Sequence, residues 1–227
     1  MGFGQRLLGS RHGHAEDGSG GQIEHARRYE WWAAVGFAGQ RPRVYDGLVR
    51  LSGARPGDRV LDVGCGTGYL TGRAARVVGV SGQVEGIDPS PEVVAYANDR
   101  AAPNTAYRLA GAERLPYEDG TFDVVLSSLA VHHVPTAQRS DAFAEMYRVL
   151  KPGGSLLVAD FRPPSNRFLN LIIGGLSGHA MQHNPIDQLP VLAADAGFEI
   201  VGTGNRRPML SFVRAQKPHK PHTSRED

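Results

Sequence analysis

Short apolar runs alternate with amphipathic stretches through the middle of the chain. The runs are rich in β-branched residues and bounded by turn-forming residues, so they predict buried strands at residues 60–63, 83–87, 105–109, 122–127 and 155–161. Between them, apolar residues repeat at helical spacing at residues 69–78, 91–101 and 137–150. The alternation predicts an α/β fold around a mostly parallel sheet.

The regions on either side of these elements add further helices and strands. Before the first strand, helical patterns span residues 22–37 and 44–51. After the fifth strand, the pattern predicts a helix at 185–196 and two strands at 198–203 and 209–215. The predicted elements therefore extend from residue 22 to about residue 216.

The two ends of the chain have few apolar residues. We expect residues 1–21 and 217–227 to be disordered tails that flank a single domain at 22–216. Residues 162–184 are apolar but contain three closely spaced glycines. Two interpretations of this segment stay open, a movable lid over a substrate and a helix packed on the surface of the sheet.

A glycine-rich turn follows the first predicted strand. Gly64, Gly66 and Gly68 let a ligand approach bare backbone at the start of a helix. A dinucleotide fingerprint would require another glycine where this chain has Tyr69, which argues against a pyrophosphate. Asp88 ends the second strand about 20 residues later, where a carboxylate accepts hydrogen bonds from both hydroxyls of a ribose. A nucleoside without a pyrophosphate fits both observations.

Four sequence blocks carry a resemblance to a known family. They are VLDVGCGTGYLT at residues 60–71, GIDPS at 86–90, GAERLPYEDGTFDVVLSSLAVHHV at 111–134 and LKPGGSLLVADF at 150–161. In this order and spacing the chain resembles the class I S-adenosylmethionine-dependent methyltransferases, within them the small-molecule group that includes the ubiquinone and menaquinone methyltransferases.

The resemblance implies a fold, a cofactor and an activity. The fold would be Rossmann-like, with a mostly parallel seven-stranded sheet, an antiparallel last strand and helices on both faces. The cofactor would be S-adenosylmethionine, and the methyl group would pass to O, N or C of a small, partly apolar acceptor.

The resemblance also implies which residues bind the cofactor. Five residues of the turn would surround its methionine part: Gly64, Cys65, Gly66, Thr67 and Gly68. Asp62 would orient this turn or reach the methionine ammonium through water, and Asp88 would bind the ribose. The other implied contacts are Tyr29, Pro89, Gly111, Ala112, Glu113 and Ser127. For Tyr29, packing of its helix onto the sheet edge is an equal alternative.

The adenine side of the expected site departs from the family pattern. Relatives often carry an aspartate where this chain has Gly111, and that aspartate accepts from the adenine amino group. Here recognition would pass to backbone groups of Gly111 and Ala112 or to the side chain of Glu113. Glu113 is equally well explained as a solvated loop carboxylate.

His132 and His133 are the candidate catalytic residues. They follow the fourth strand, where an acceptor would meet the methyl group, and histidine titrates near neutral pH and accepts protons. Alignment of the two reactants by itself removes roughly 7 to 11 kcal/mol from a barrier, so a base is not obligatory. The alternative is that both histidines only shape the pocket.

Composition and charge limit the remaining possibilities. The net charge of +2 comes from interspersed acids and bases, so no nucleic-acid partner is expected. Cys65 is the only cysteine, which excludes an intramolecular disulfide and a thiolate cluster and favours a cytoplasmic location. His12 and His14 lack a third ligand nearby, so we expect no metal site. No apolar stretch reaches the length of a membrane span.

Two other functions are compatible with parts of this sequence. A protein with the same fold could bind the cofactor without methylating, as a cyclase-type catalyst or a structural subunit. A nicotinamide oxidoreductase would share the strand–turn–helix unit, but Tyr69 in place of glycine argues against it.

Overall fold

The computed structural model describes residues 39–162, 186–206 and 210–219. Tyr29, both predicted tails except residues 217–219, the predicted helix at 22–37 and all but the first residue of the segment 162–184 lie outside the described residues.

Helices and strands alternate through the described part of the chain. The helices are α1 (Arg41–Ser52), α2 (Tyr69–Val78), α3 (Pro91–Asn98), α4 (Arg139–Val149) and α5 (Leu189–Asp195). The strands are β1 (Arg59–Val63), β2 (Gln83–Asp88), β3 (Thr105–Leu109), β4 (Phe122–Ser128), β5 (Leu150–Phe161), β6 (Glu199–Arg206) and β7 (Leu210–Gln216). None of the described helices is long and apolar enough to cross a membrane.

The seven strands form one sheet in the order β3-β2-β1-β4-β5-β7-β6. All pairs from β3 to β5 are parallel, and β7 runs antiparallel to both of its neighbours. The strand order reverses between β1 and β4, which is where ligands bind in open α/β sheets. The predicted Rossmann-like fold with an antiparallel last strand is confirmed.

Helices cover both faces of the sheet. Alternation along β4 places Val125 in one core cluster and Val124 and Leu126 in the other, as the two-residue period of a strand requires. Leu48 of α1 packs in the second cluster, whereas Phe143 of α4 packs in the first. The β1–β4 boundary is therefore buried from both sides, and only its strand ends reach a ligand.

Several element boundaries differ from the predictions: α3 ends at Asn98 rather than residue 101, α5 begins at Leu189 rather than residue 185, and β6 ends at Arg206 rather than residue 203, while α1 and β5 begin earlier than predicted. Helix α1 begins at Arg41 rather than residue 44, because Pro42 lies in the first turn, where its missing N–H costs no helical bond. Strand β5 begins at Leu150 rather than residue 155, since Leu150 already pairs with Phe122 and a register shift absorbs the following Pro-Gly-Gly sequence. The earlier start of α1 has a consequence for the site, because it includes Arg41 in the helix.

Candidate cofactor site and acceptor edge

Most of the predicted cofactor residues that the structure describes lie at the carboxyl ends of β1 and β2. The glycine turn leaves β1, and the N–H groups of Gly64 and Cys65 both donate to the carbonyl of Ile87 in β2, each at 2.9 Å. Gly64 has a φ of 72° and Gly68 a φ of 80°. A side chain at Gly64 would collide with Ala130, and one at Gly68 would collide with Tyr107. Glycine is therefore required at both positions by backbone angle and by space.

Asp88 connects this turn to the start of α3. Its Oδ2 accepts from the N–H of Gly66 at 3.0 Å and its Oδ1 from the N–H of Ser90 at 3.0 Å. Ser90, not Asp88, caps α3, because its hydroxyl accepts from the N–H of Val93. Burial raises the pKa of Asp88, and the two backbone donors oppose that shift. Each carboxylate oxygen retains acceptor capacity for a ligand hydroxyl.

Asp62 lies beneath the turn and is almost completely buried. The hydroxyl of Thr71 donates to its Oδ2 at 2.7 Å, which ties β1 to the first turns of α2. Burial raises the pKa of Asp62 to about 7, although the bonds from Thr71 oppose the shift. The side chain also lines a small pocket together with Gly64, Cys65 and Thr67. Asp62 is thus placed both to support the turn and to contact a ligand in that pocket.

The far wall of this pocket contains residues that the sequence did not indicate. Arg41 of α1 is 6% exposed, and its guanidinium carbon lies 3.8 Å from the ring centroid of Tyr69 and 5.7 Å from that of Tyr45. Ser128, at the end of β4, completes this wall. A buried arginine is rare, but no local sequence pattern marks one. The lining of this pocket therefore includes both a guanidinium group and the Asp62 carboxyl group.

The segment after β3 contains the three residues predicted on the adenine side. Backbone pairing of β2 with β3 brings it beside Asp88, whose carbonyl accepts from the N–H of Ala110 at 3.1 Å. A side chain at Gly111 would collide with the carboxylate of Glu113. The Glu113 carboxylate therefore lies about where an aspartate side chain at position 111 would lie. Ala112 packs against the core.

A charged network fixes the same segment to α4. The guanidinium of Arg148 donates to the carbonyls of Leu115 and Tyr117 at 3.1 and 2.7 Å, and Glu145 accepts from the N–H of Leu115 at 2.7 Å. Arg148 and Glu145 also bond to each other at 2.6 and 2.8 Å. Charge-assisted bonds of this kind are stronger than neutral ones. The loop that carries Glu113 is thus held at both ends.

Three other predicted contacts have defined positions. The hydroxyl of Ser127 donates to the carbonyl of Val63 at 2.9 Å, which joins β4 to β1 directly below the turn. Cys65 is buried, and burial raises the pKa of its thiol well above the usual range. Pro89 is exposed beside Asp88, where an adenosine could pack on it.

The two histidines occupy a turn at the end of β4. Leu129 has a φ of 57°, and residues Val131–His133 form a single 3-10 turn. Ala130 of this turn contacts Gly64, so the histidines and the glycine turn belong to one continuous edge. The rings of His132 and His133 are 4.0 Å apart between centroids.

The environments of the two rings differ. Nδ1 of His132 lies 2.7 Å from Oδ1 of Asp160, near the end of β5. His133 is largely buried, and Nδ1 of its ring has no hydrogen-bond partner in the described part of the chain. Burial lowers the pKa of His133 to about 4, with a smaller contribution from His132. The sequence did not indicate Asp160 as a partner, because it lies 28 residues away in another strand.

Comparisons with known proteins agree with this arrangement. Residues 60–154 match the family described as "Methyltransferase domain". The chain is 42% identical to a ubiquinone/menaquinone biosynthesis C-methyltransferase of Ectopseudomonas mendocina and 40% identical to that of Azotobacter vinelandii, over 53% and 57% of this chain. The matches cover 48% and 52% of those proteins, so the chain spans about half the length of the curated relatives it matches.

Solved structures share the fold. A crystal structure of an S-adenosylmethionine-dependent methyltransferase from Aquifex aeolicus aligns with a TM-score of 0.68 at 20% identity, over 86% of this chain and 100% of that one. The [4+2]-cyclase SpnF aligns with a TM-score of 0.64 at 23% identity, over 78% and 81% of the two chains. The strand order, the glycine turn joined to Asp88 and the matched residues lead to one conclusion: residues 60–154 are similar to the family described as "Methyltransferase domain", within a fold shared with S-adenosylmethionine-dependent methyltransferases.

Proposed function

We propose that this chain binds S-adenosylmethionine at the carboxyl edge of β1 and β2 and methylates O, N or C of a small, partly apolar acceptor. The observation that carries the proposal is the position of Asp88, which is buried, bonded to Gly66 and Ser90, and beside the point where the strand order reverses. A carboxylate held there suits the two hydroxyls of a ribose.

The described residues fit the chemistry of this cofactor part by part. The pocket lined by Arg41 and Asp62 offers a guanidinium group to the carboxylate of an amino acid and a carboxyl group to its ammonium. The turn Gly64, Cys65, Gly66, Thr67 and Gly68 would surround the methionine part, with Ser127 below it. When bound, the cofactor supplies an electrophilic methyl group on a positively charged sulfur.

The adenosine part would lie between Asp88 and the segment after β3. Glu113 would accept from the adenine amino group in place of the missing aspartate, with backbone groups of Gly111 and Ala112 beside it. Pro89 would pack against the adenosine, and Tyr29 stays a prediction for the same pocket. The placement of Asp88, Pro89 and Glu113 at one end of the sheet supports the roles of these three residues.

The acceptor would enter beside the turn that carries His132 and His133. Both curated relatives are named as C-methyltransferases of quinone biosynthesis, which favours transfer to carbon, but only half of their length is matched here. The chain needs to hold the acceptor in line with the methyl group and to exclude water. We expect a small-molecule partner, no nucleic-acid partner and a cytoplasmic location.

A second candidate is a cofactor-binding protein that does not methylate. The likeness to the [4+2]-cyclase supports only a shared fold, so it does not favour this alternative over methyl transfer. The two functions differ in one observable, the fate of the methyl group.

Incubation with methyl-labelled S-adenosylmethionine tests the proposal. The purified chain would be supplied with a panel of phenols, quinols and amines, and the products separated from the labelled cofactor. Repeated turnover with label in an acceptor is expected. Tight binding of the cofactor without label in any acceptor would support the second candidate. Asp88→Ala should abolish transfer at low cofactor concentration, whereas Asp141→Ala, which removes an exposed carboxylate of α4, should not.

A further inference from the structure

One carboxylate at the acceptor edge is completely buried and directed at His132. Asp160 is 0% exposed, and its Oδ1 lies 2.7 Å from Nδ1 of His132. Its Oδ2 accepts from the backbone N–H of the same histidine at 3.1 Å, and its Oδ1 also accepts from the N–H of Phe161 at 2.7 Å. A residue bonded at both ring and backbone has little freedom to rotate.

The pairing of strands explains how this contact forms. Ser128 of β4 lies opposite Ala159 of β5, and the N–H of Leu129 donates to the Ala159 carbonyl at 2.9 Å. The next residue of β5 is therefore brought against the turn that follows β4. The same turn touches Gly64 through Ala130, so the pair lies next to the proposed cofactor site.

The charge of Asp160 is balanced within the described residues. Arg139 of α4 is buried, and the carboxylate favours the charged form of this arginine against the cost of burial. Among the described residues, His133 is a further titratable group beside the pair. A buried carboxylate of this kind is expensive unless a cation and hydrogen-bond donors are near it, and here Arg139 and the N–H groups of His132 and Phe161 have these roles.

We infer that Asp160 is a positioning residue that holds His132 with its proton on Nδ1 and its lone pair on Nε2, so that His132 serves as the base for an acceptor that must lose a proton. The inference rests on the proposed function and narrows the acceptor to hydroxyl groups, such as phenols or enols, and acidic carbons. A carboxylate bonded to Nδ1 fixes this tautomer.

The proton and electron balance of the step is simple. The O–H or C–H bond of the acceptor breaks, and its electron pair forms the bond to the methyl carbon. The electrons of the broken carbon–sulfur bond stay on sulfur, which becomes neutral. The proton goes to Nε2 of His132, and Asp160 stabilises the resulting imidazolium.

His133 does not fit this role equally well. Its Nδ1 has no described hydrogen-bond partner that would select a tautomer, and its low pKa makes it a weak base. Its ring packs against that of His132 at 4.0 Å and limits the movement of that ring. The geometry thus assigns different tasks to neighbouring residues of the same type.

Nitrogen-15 NMR of histidine-labelled full-length chain at pH 8 tests the positioning without a substrate. The expected spectrum shows His132 protonated on Nδ1, with the signal assigned by its absence in His132→Gln. In Asp160→Asn the side-chain amide donates to Nδ1 and the proton should move to Nε2. Protonation of Nε2 in the unaltered chain would overturn the inference, and this measurement needs no folded Asp160 variant.

Kinetics with phenols of graded acidity test the base. Asp160→Asn should lower kcat about 100-fold for weakly acidic phenols, with less loss as acidity rises and with KM for the cofactor unchanged. Imidazole should restore part of the activity of His132→Gly.

Asp123→Asn is the control variant. Asp123 also accepts from a backbone N–H, that of Arg59, and from a cation, Lys151, but it lies near the amino-terminal end of β4, away from the proposed site.

The outcomes separate this inference from the proposed function. An equal loss across all phenols, or a change only in KM, would overturn the positioning role while methyl transfer itself stands. Absence of transfer by the unaltered chain to every acceptor would overturn both. A shifted tautomer with acidity-dependent loss supports the inference.

Discussion

Two buried groups at the same edge of the sheet respond to pH in opposite directions. Burial raises the pKa of Asp62, beneath the glycine turn, to about 7, and it lowers the pKa of His133, in the turn after β4, to about 4. Burial therefore favours the neutral form of both groups, although one is an acid and the other a base. We call the region around Asp62, the glycine turn and Asp88 the cofactor half, and the region around His132, His133 and Asp160 the acceptor half. The contribution of Asp62 in the cofactor half to the free energy of unfolding falls at alkaline pH, and that of His133 in the acceptor half falls at acidic pH.

The largest expected effect concerns Asp62. Its folded pKa lies above the unfolded value of 3.8, so its contribution to stability is complete below pH 4 and is lost as the pH rises through 7. The loss is on the order of 4 kcal/mol for a fully buried group. Urea unfolding between pH 4.5 and 8 should show this decline, and Asp62→Asn should remove it. If Asp62→Asn showed the same pH dependence as the unaltered chain, the raised pKa of Asp62 would not be its cause.

His133 should show the opposite trend. Its folded pKa lies below the unfolded value of 6.5, so its contribution is complete above pH 6.5 and is lost as the pH falls through 4. We expect a loss of about 2 to 3 kcal/mol, reduced from the full shift because the ring is partly exposed. The same unfolding series on His133→Gln should lack this acid-side loss. The double variant with Asp62→Asn should lack both contributions and keep only the pH dependence of other groups, such as Asp88.

Removal of the Asp88 carboxylate should weaken the cofactor half alone. Two hydrogen bonds from ribose hydroxyls to a charged group contribute about 3 kcal/mol together, which corresponds to roughly 100-fold in affinity. Calorimetry with S-adenosylhomocysteine should show this loss for Asp88→Ala. Asp160→Asn, in the acceptor half, should bind the compound as the unaltered chain does. If both variants lost affinity for S-adenosylhomocysteine to a similar extent, the two halves would not act independently in cofactor binding.

The smallest effect is expected at the adenine side. Glu113→Ala removes the acceptor oxygens beside Gly111, and it should weaken binding of S-adenosylhomocysteine about fivefold, since one hydrogen bond is worth about 1 kcal/mol. Glu118→Ala, in the same loop and exposed, is the control. Equal affinities of both variants and the unaltered chain would make Glu113 a solvated carboxylate.

The cofactor half was predictable from the sequence because its geometry is local. Glycines at fixed spacing after a buried strand define the turn, and a carboxylate at the end of the next strand lies beside it, so the sequence alone indicates Gly64 and Asp88. The fold followed from the alternation of elements together with the family resemblance.

The acceptor half was not predictable to the same depth. His132 was a candidate from its position after β4, but its partner Asp160 depends on side-chain packing across two strands. Arg41 was missed for a similar reason, because its burial against Tyr69 depends on how α1 docks on α2. Contacts between distant segments carry no local pattern, whereas turns and strand ends do.

A crystal structure of the chain with S-adenosylhomocysteine tests the central claim most directly. The account predicts both ribose hydroxyls within hydrogen-bond distance of the Asp88 carboxylate, the amino-acid part between Arg41 and Asp62, and the sulfur facing the turn of His132. Binding of the compound elsewhere on the chain, or an empty carboxyl edge at saturating concentration, would contradict it.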